Sequence, residues 1–154
     1  MEQIEGEDSL TMYQACLLHS RADRALRLVV SRKLEQFNVT MMEWLLIGVV
    51  DAGPKEGMTM SAVASALDVT LPQVTALTAS LTKLKSLKQK ISRQDRRSRR
   101  LVVTHSGKKL LTEIEEVVNE AMKEWVVDIP KEQLQTYLRT VEVLANRKPG
   151  EVIQ

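Results

Sequence analysis

The sequence predicts a mainly α-helical fold with a small β-wing, a winged helix-turn-helix flanked by long N- and C-terminal helices. Three observations predict it. Apolar residues recur at helical spacing over most of the 154 residues. Two short helical segments meet at the tight turn Asp68-Val69-Thr70, as in a helix-turn-helix. The apolar period then changes from about 3.6 residues to two around a run of arginines.

The first helix spans about Leu10 to Phe37, with Tyr13, Cys16, Leu17, Leu26, Val29, Val30 and Leu34 on one stripe. Asp8 or Ser9 is placed to cap it. Such a helix is about 40 Å long, more than a small core needs, so part of it is expected to pack on a partner. Thr40-Met41-Met42-Glu43 is a capping box that starts a second helix, apolar nearly all round and stopped by Gly53-Pro54. Met58-Thr59-Met60 suits a very short strand, and Ser61 caps a short helix carrying Val63, Ala64 and Leu67. Thr70-Leu71-Pro72-Gln73 is a second capping box, with Pro72 in the first turn, where a missing N–H costs little. The recognition helix that follows turns Val74, Leu77 and Leu81 inward. Its opposite face carries Pro72, Ala76, Ala79, Ser80 and Lys83, flanked by Gln73 and Thr75.

Alternation in Leu87-Lys88-Gln89-Lys90-Ile91 predicts a strand with Leu87 and Ile91 inward and Lys88 and Lys90 outward. A second strand sets Arg100 and Val102 against Leu101 and Val103. The loop between them holds Arg93, Arg96 and Arg97. Thr104 or Ser106 then caps a helix striped by Leu111, Ile114, Val118, Ala121 and Trp125, and Pro130 opens a last helix that ends near Asn146.

Charge is the functional signal. The chain nets +2, but Lys83 to Arg100 holds nine Lys/Arg and one acid, Asp95, a net +8. The remainder, with 13 Lys/Arg and 19 acids, carries −6. A basic segment on an acidic body calls for an anionic partner held at one place. Phosphates supply most of the affinity of such contacts. Gln73 suits adenine, and Thr75 and Ser80 suit a base edge or phosphate. Lys88, Lys90, Arg93, Arg96, Arg97 and Arg99 suit the DNA backbone and grooves. Asp95 reads as a buttress holding a wing arginine by a charge-assisted bond.

Other classes are excluded or unsupported. One cysteine, Cys16, forms no intramolecular disulfide, and His19 and His105 are too few for a metal site. The longest apolar run, Trp44 to Val50, is too short to span a bilayer. The acidic MEQIEGEDSL start has no apolar core, so a cytoplasmic protein is expected. No phosphate loop or nucleophile motif is present, so neither an enzyme nor a cofactor is expected.

Asp95-Arg96-Arg97-Ser98-Arg99-Arg100-Leu101-Val102-Val103-Thr104-His105-Ser106-Gly107 resembles the wing signature of the multiple-antibiotic-resistance regulator (MarR) family of bacterial transcription factors, an Asp-x-Arg followed by an apolar strand and (Leu/Val)-Thr-x-x-Gly. Val39 to Trp44 is similar to the start of that family's second helix, and Ala66 to Thr70 with Val74-Thr75 to its helix-turn-helix. Ala76 and Ser80 stand where family members often carry Arg, and Ser86 stands where a glycine is usual. Leu81 to Leu87 is one residue longer than typical.

The resemblance implies one domain over 1–154, with a winged-helix DNA-binding lobe at 40–104 and dimerisation helices at 10–38 and 105–146. It implies a homodimer on a pseudo-palindromic duplex, with Arg97 at the wing tip in the minor groove. It also implies a small-molecule effector of unknown identity in a cavity between the first, second and fifth helices, lined by His19 and Trp44. Core packing is the other reading of Trp44. Cys16, on an apolar stripe, reads as a buried structural cysteine, with the redox sensing of one family branch as the alternative. The function expected is a sequence-specific, ligand-released repressor. The alternative is a dimeric ligand-binding or interaction protein of the same fold that has lost sequence-specific reading.

Overall fold

The computed structural model describes residues 10–91 and 99–147. They form six helices and a three-stranded sheet, in the order α1 (Met12–Leu34), a 3-10 turn (Glu35–Phe37), α2 (Met41–Ala52), β1 (Met58–Thr59), α3 (Met60–Leu67), α4 (Leu71–Lys83), β2 (Leu87–Ile91), β3 (Arg99–Val103), α5 (His105–Trp125) and α6 (Lys131–Ala145). They fall into two compact units divided between Ala121 and Met122.

Capping sets most of the boundaries in the first unit. At α1 the cap is Thr11, not Asp8 or Ser9: its hydroxyl accepts from the Gln14 N–H while the Gln14 side chain accepts from the Thr11 N–H, closing a capping box. The capping boxes expected at Thr40 and Thr70 are both formed. At α3 the cap is Thr59 rather than Ser61, because the Thr59 hydroxyl receives the Ala62 N–H and Met60 already opens the helix. Asp68, with φ 51°, ends α3 and makes the helix-turn-helix corner. Its own N–H and that of Val69 return to Ser65 and Ala64.

The core of this unit joins α2, α3, α4, the sheet and α5 through Leu46, Ile47, Val50, Val63, Val74, Leu81, Leu87, Leu101, Val103 and Leu111. On α4 the buried residues are Val74, Thr78 and Leu81; Leu77 is half-buried. The sheet is antiparallel in the order β1-β3-β2, with Leu87 opposite Val103, Lys90 opposite Arg100 and Ile91 opposite Arg99. Leu101 and Val103 face the core as expected. Ile91 does not: it is 66% exposed. β2 is an edge strand, and its far end pairs with Arg99 beyond the last core residue of the sheet, so alternation there has nothing apolar to face.

The second unit comprises the end of α5 from Met122, a turn through Val126–Ile129 closed by the Ile129 N–H on the Val126 carbonyl, and α6 behind Pro130. No residue of α6 is buried; Leu134 and Val141 are half-buried, while Tyr137, Leu138, Val143 and Leu144 are exposed. Among the described residues, no helix is long and apolar enough to cross a membrane.

Candidate nucleic-acid interface

Hydrogen bonds from the α4–β2 turn and from Thr104 hold the end of α4 and the start of β2 and α5 together. α4 ends in a Schellman motif: the Ser86 N–H returns to the Leu81 carbonyl at 2.9 Å and the Lys85 N–H to Thr82 at 3.0 Å. Lys85 takes the left-handed position of that motif, φ 57°. The glycine-like place in this turn is therefore residue 85, not Ser86. The Thr104 hydroxyl donates to the Lys85 carbonyl at 2.6 Å, and its N–H reaches the Ser86 carbonyl at 3.1 Å. The same hydroxyl accepts the Gly107 N–H at 3.0 Å, which makes Thr104 the cap of α5. A β-carbon on Gly107 would collide with the Ser86 carbonyl oxygen. The Thr-x-x-Gly motif thus clamps the α4–β2 turn to the start of α5.

The exposed line of α4 runs Pro72, Ala76, Ala79, Lys83, flanked by Gln73 and Thr75, all solvent-facing as expected. The flanking polar groups are largely committed to their own structure. The Gln73 carbonyl accepts from both the N–H and the hydroxyl of Thr70. The Thr75 hydroxyl donates to the Leu71 carbonyl at 3.0 Å. Ser80 departs from its expected place on the exposed face. It is half-buried, and its hydroxyl donates inward to Glu43 Oε1. The helical wheel alone sets it outward; a buried acceptor on α2 draws it in.

Glu43 is 7% exposed, and its Oε2 accepts the Thr40 N–H at 2.7 Å. Burial pushes its carboxyl up, but the Ser80 hydroxyl and the Thr40 N–H outweigh that and hold it below its ordinary value. Sequence patterning shows Glu43 as the third helical residue of a capping box. It does not show that the carboxylate also takes a bond from a helix 37 residues away.

Around this helix Lys83, Lys85, Lys88, Lys90 and Arg99 are all exposed, and among the described residues none of them forms an ion pair. Among the described residues, Arg99 reaches only the Gln89 side chain, at 3.4 Å. Arg100 differs: it is half-buried and donates to the Gly57 carbonyl at 2.9 Å, tying β3 to the loop before β1. Arg93, Asp95, Arg96 and Arg97 lie outside the described residues.

His19 is exposed and Trp44 half-buried. An open cleft of about 350 Å³ lies elsewhere, lined by Phe37, Leu84, Ser86, His105, Leu110 and Glu113 among others, and neither His19 nor Trp44 borders it. Cys16 is exposed rather than buried. The stripe that carries it, with Met12, Tyr13, Leu17 and Leu18, has no cover among the described residues. Among those residues, too, no cluster of His, Cys, Asp or Glu could hold a metal.

No family model matches the chain. Solved structures do. A transcriptional regulator of the MarR family from Rhodococcus sp. RHA1 superposes with a TM-score of 0.80 at 18% identity, covering 90% of this chain and 97% of its own. This is the MarR-family fold. CouR from Rhodococcus jostii RHA1, solved with p-coumaroyl-CoA, shares the MarR-family fold with a TM-score of 0.78 at 19% identity, over 93% of this chain and all of CouR (100%). MepR from S. aureus, solved as a DNA complex, gives 0.73 at 24% identity over 90% of this chain and 100% of its own. Within the MarR-family fold, α3 and α4 form the helix-turn-helix, and β2 and β3 form the sides of the wing.

Proposed function

We propose that the chain is a homodimeric, sequence-specific regulator of transcription that binds a pseudo-palindromic DNA duplex and represses until a small ligand releases it. The observation that carries this reading is the set of cations at Lys83, Lys85, Lys88, Lys90 and Arg99, without ion-pair partners among the described residues and gathered around an exposed recognition helix. Cations without acid partners among the described residues, on a chain whose remainder is acidic, suit phosphates. MepR, which shares the fold, is solved on DNA. Arg93, Arg96 and Arg97 would add to these cations, with Arg97 at the wing tip in the minor groove and Asp95 as the buttress of a wing arginine.

Exposed apolar side chains support the dimer. Met12 (76%), Tyr13 and Leu28 on α1, and Tyr137, Leu138 (63%) and Leu144 on α6, are costly to leave in water. Two copies would set two recognition helices about one DNA turn apart. CouR holds p-coumaroyl-CoA, and a ligand seated beside the DNA-binding lobe would release the duplex by favouring a lobe spacing that misfits it. His19, Trp44 and the cleft beside Phe37 are the places to look for it. The protein would act in the cytoplasm, without a membrane.

Base reading on this helix is mainly apolar. With the Thr75 and Ser80 hydroxyls spent inside the fold, Pro72, Ala76 and Ala79 offer contact with thymine methyl groups, and Gln73 offers its amide N–H. The same observation favours the second reading, a protein of this fold that no longer reads sequence. Lys88→Gln with Lys90→Gln separates the two from a protein that does not bind DNA. Under the regulator reading, duplex affinity falls and its salt slope shrinks by about 0.9 for each phosphate no longer neutralised. An unchanged slope would remove the wing strands from the interface.

A further inference from the structure

We infer that Ser80 and Glu43 are positioning residues, setting the register of the recognition helix on DNA without touching it; this rests on the DNA-reading proposal above. Two pieces of chain, α4 and the capped start of α2, meet at one carboxylate. Glu43 Oε1 receives the Ser80 hydroxyl from the C-terminal half of α4. Glu43 Oε2 receives the Thr40 N–H at 2.7 Å, from the joint that follows the 3-10 turn Glu35–Phe37. Glu43 itself stands in the first turn of α2.

Among the described residues no cation approaches this carboxylate. Its charge is therefore held by directed hydrogen bonds, which fix direction as well as distance. Apolar packing is less selective: Val74 and Leu81 are buried, and burial is non-directional. The Ser80 bond would not survive a modest rotation of α4. Ser80 adjoins Ala79 and lies one turn from Ala76 and within one turn of Lys83, so the rotation it fixes is the rotation of the DNA-facing line. Removing the hydroxyl leaves a buried acceptor short of a donor, and α4 loses the bond that opposes a small turn or shift letting water reach the carboxylate.

The consequence falls on specificity. Phosphate contacts from flexible lysines tolerate a small rotation, whereas base-edge contacts do not. The test uses the full chain on two duplexes, one enriched from a random pool and one of the same composition scrambled. For Ser80→Ala the ratio of the two affinities is expected to fall roughly tenfold (~1.4 kcal/mol), with binding to the scrambled duplex and its salt slope unchanged, which also shows that the variant is folded. Ser80→Thr, which keeps the hydroxyl, is expected to restore the ratio. Glu43→Gln is expected to lower it as Ser80→Ala does, and the double variant to be no worse than either single one.

A loss in Ser80→Ala that Glu43→Gln does not share would make Ser80 a direct DNA contact and overturn the inference. An unchanged ratio in both variants, or equal losses on both duplexes, would overturn it too. If the wild-type chain binds no duplex, the DNA-reading proposal itself fails and this one with it.

Discussion

The carbonyl oxygen of Ser86 occupies the space that a β-carbon on residue 107 would need, so Gly107 is the only residue type that lets α5 start against the α4–β2 turn. The neighbouring Thr104 bonds complete the clamp. Gly107→Ala must push backbone against backbone, with Val103 on the other side. Its expected cost is about 2–3 kcal/mol of folding stability, read as a lower midpoint of urea unfolding. A midpoint equal to wild type would show that the turn yields freely.

Lys85 is the opposite case, a side chain in a place that suits glycine. Its φ of 57° in the Schellman motif carries the left-handed penalty. Lys85→Gly is expected to stabilise the fold by about 1 kcal/mol, seen as a higher unfolding midpoint. No gain would mean that the lysine side chain makes up the difference elsewhere.

Stability in acid depends on Glu43. Its carboxyl is held below its ordinary value in the folded state, so the fold binds fewer protons there than the unfolded chain. That contribution is full above about pH 4.3 and is lost as pH falls through the folded value. A glutamine in its place offers an amide N–H2 where one of the two acceptors stood, so Glu43→Gln is expected to be less stable near neutral pH. The gap should close as pH falls below the ordinary carboxylate range and through the folded value. Urea unfolding across that range measures it; a gap independent of pH contradicts the assignment.

Thymine methyls are the feature that an apolar recognition helix can read in the major groove. Replacing thymine by deoxyuridine at contacted positions removes one methyl each. An affinity loss of roughly fourfold per position is expected, the worth of about one buried methyl. Losses should appear inside the two half-sites and not in flanking DNA. Equal behaviour in both regions would return base reading to Gln73 and the wing.

Much of this architecture is legible from sequence because its signals are local. The boxes Thr40–Glu43 and Thr70–Gln73 close within four residues, and the change of period at Leu87 marks the wing directly. The errors come from choices between neighbours or from distance. Thr11 and Thr59 each compete with other capping residues a few positions away, and only the hydrogen bonds decide. Ile91 follows strand parity but lies at an edge beyond the core. Ser80 obeys the helical wheel until its partner on α2 is known, and the positive φ of Lys85 carries no residue signature because lysine is not glycine. Cys16 sits on an apolar stripe and is exposed among the described residues, which a helical stripe alone does not signal.

Everything proposed for this chain turns on whether two copies of it read one inverted DNA sequence. The decisive experiment is selection of bound duplexes from a random pool at a fixed salt concentration of about 0.15 M. Two paired readers should enrich an inverted repeat with half-site centres about 10–10.5 base pairs apart, thymine in each half-site, and two protomers per duplex. A bound pool no different in sequence from the starting pool would contradict that reading.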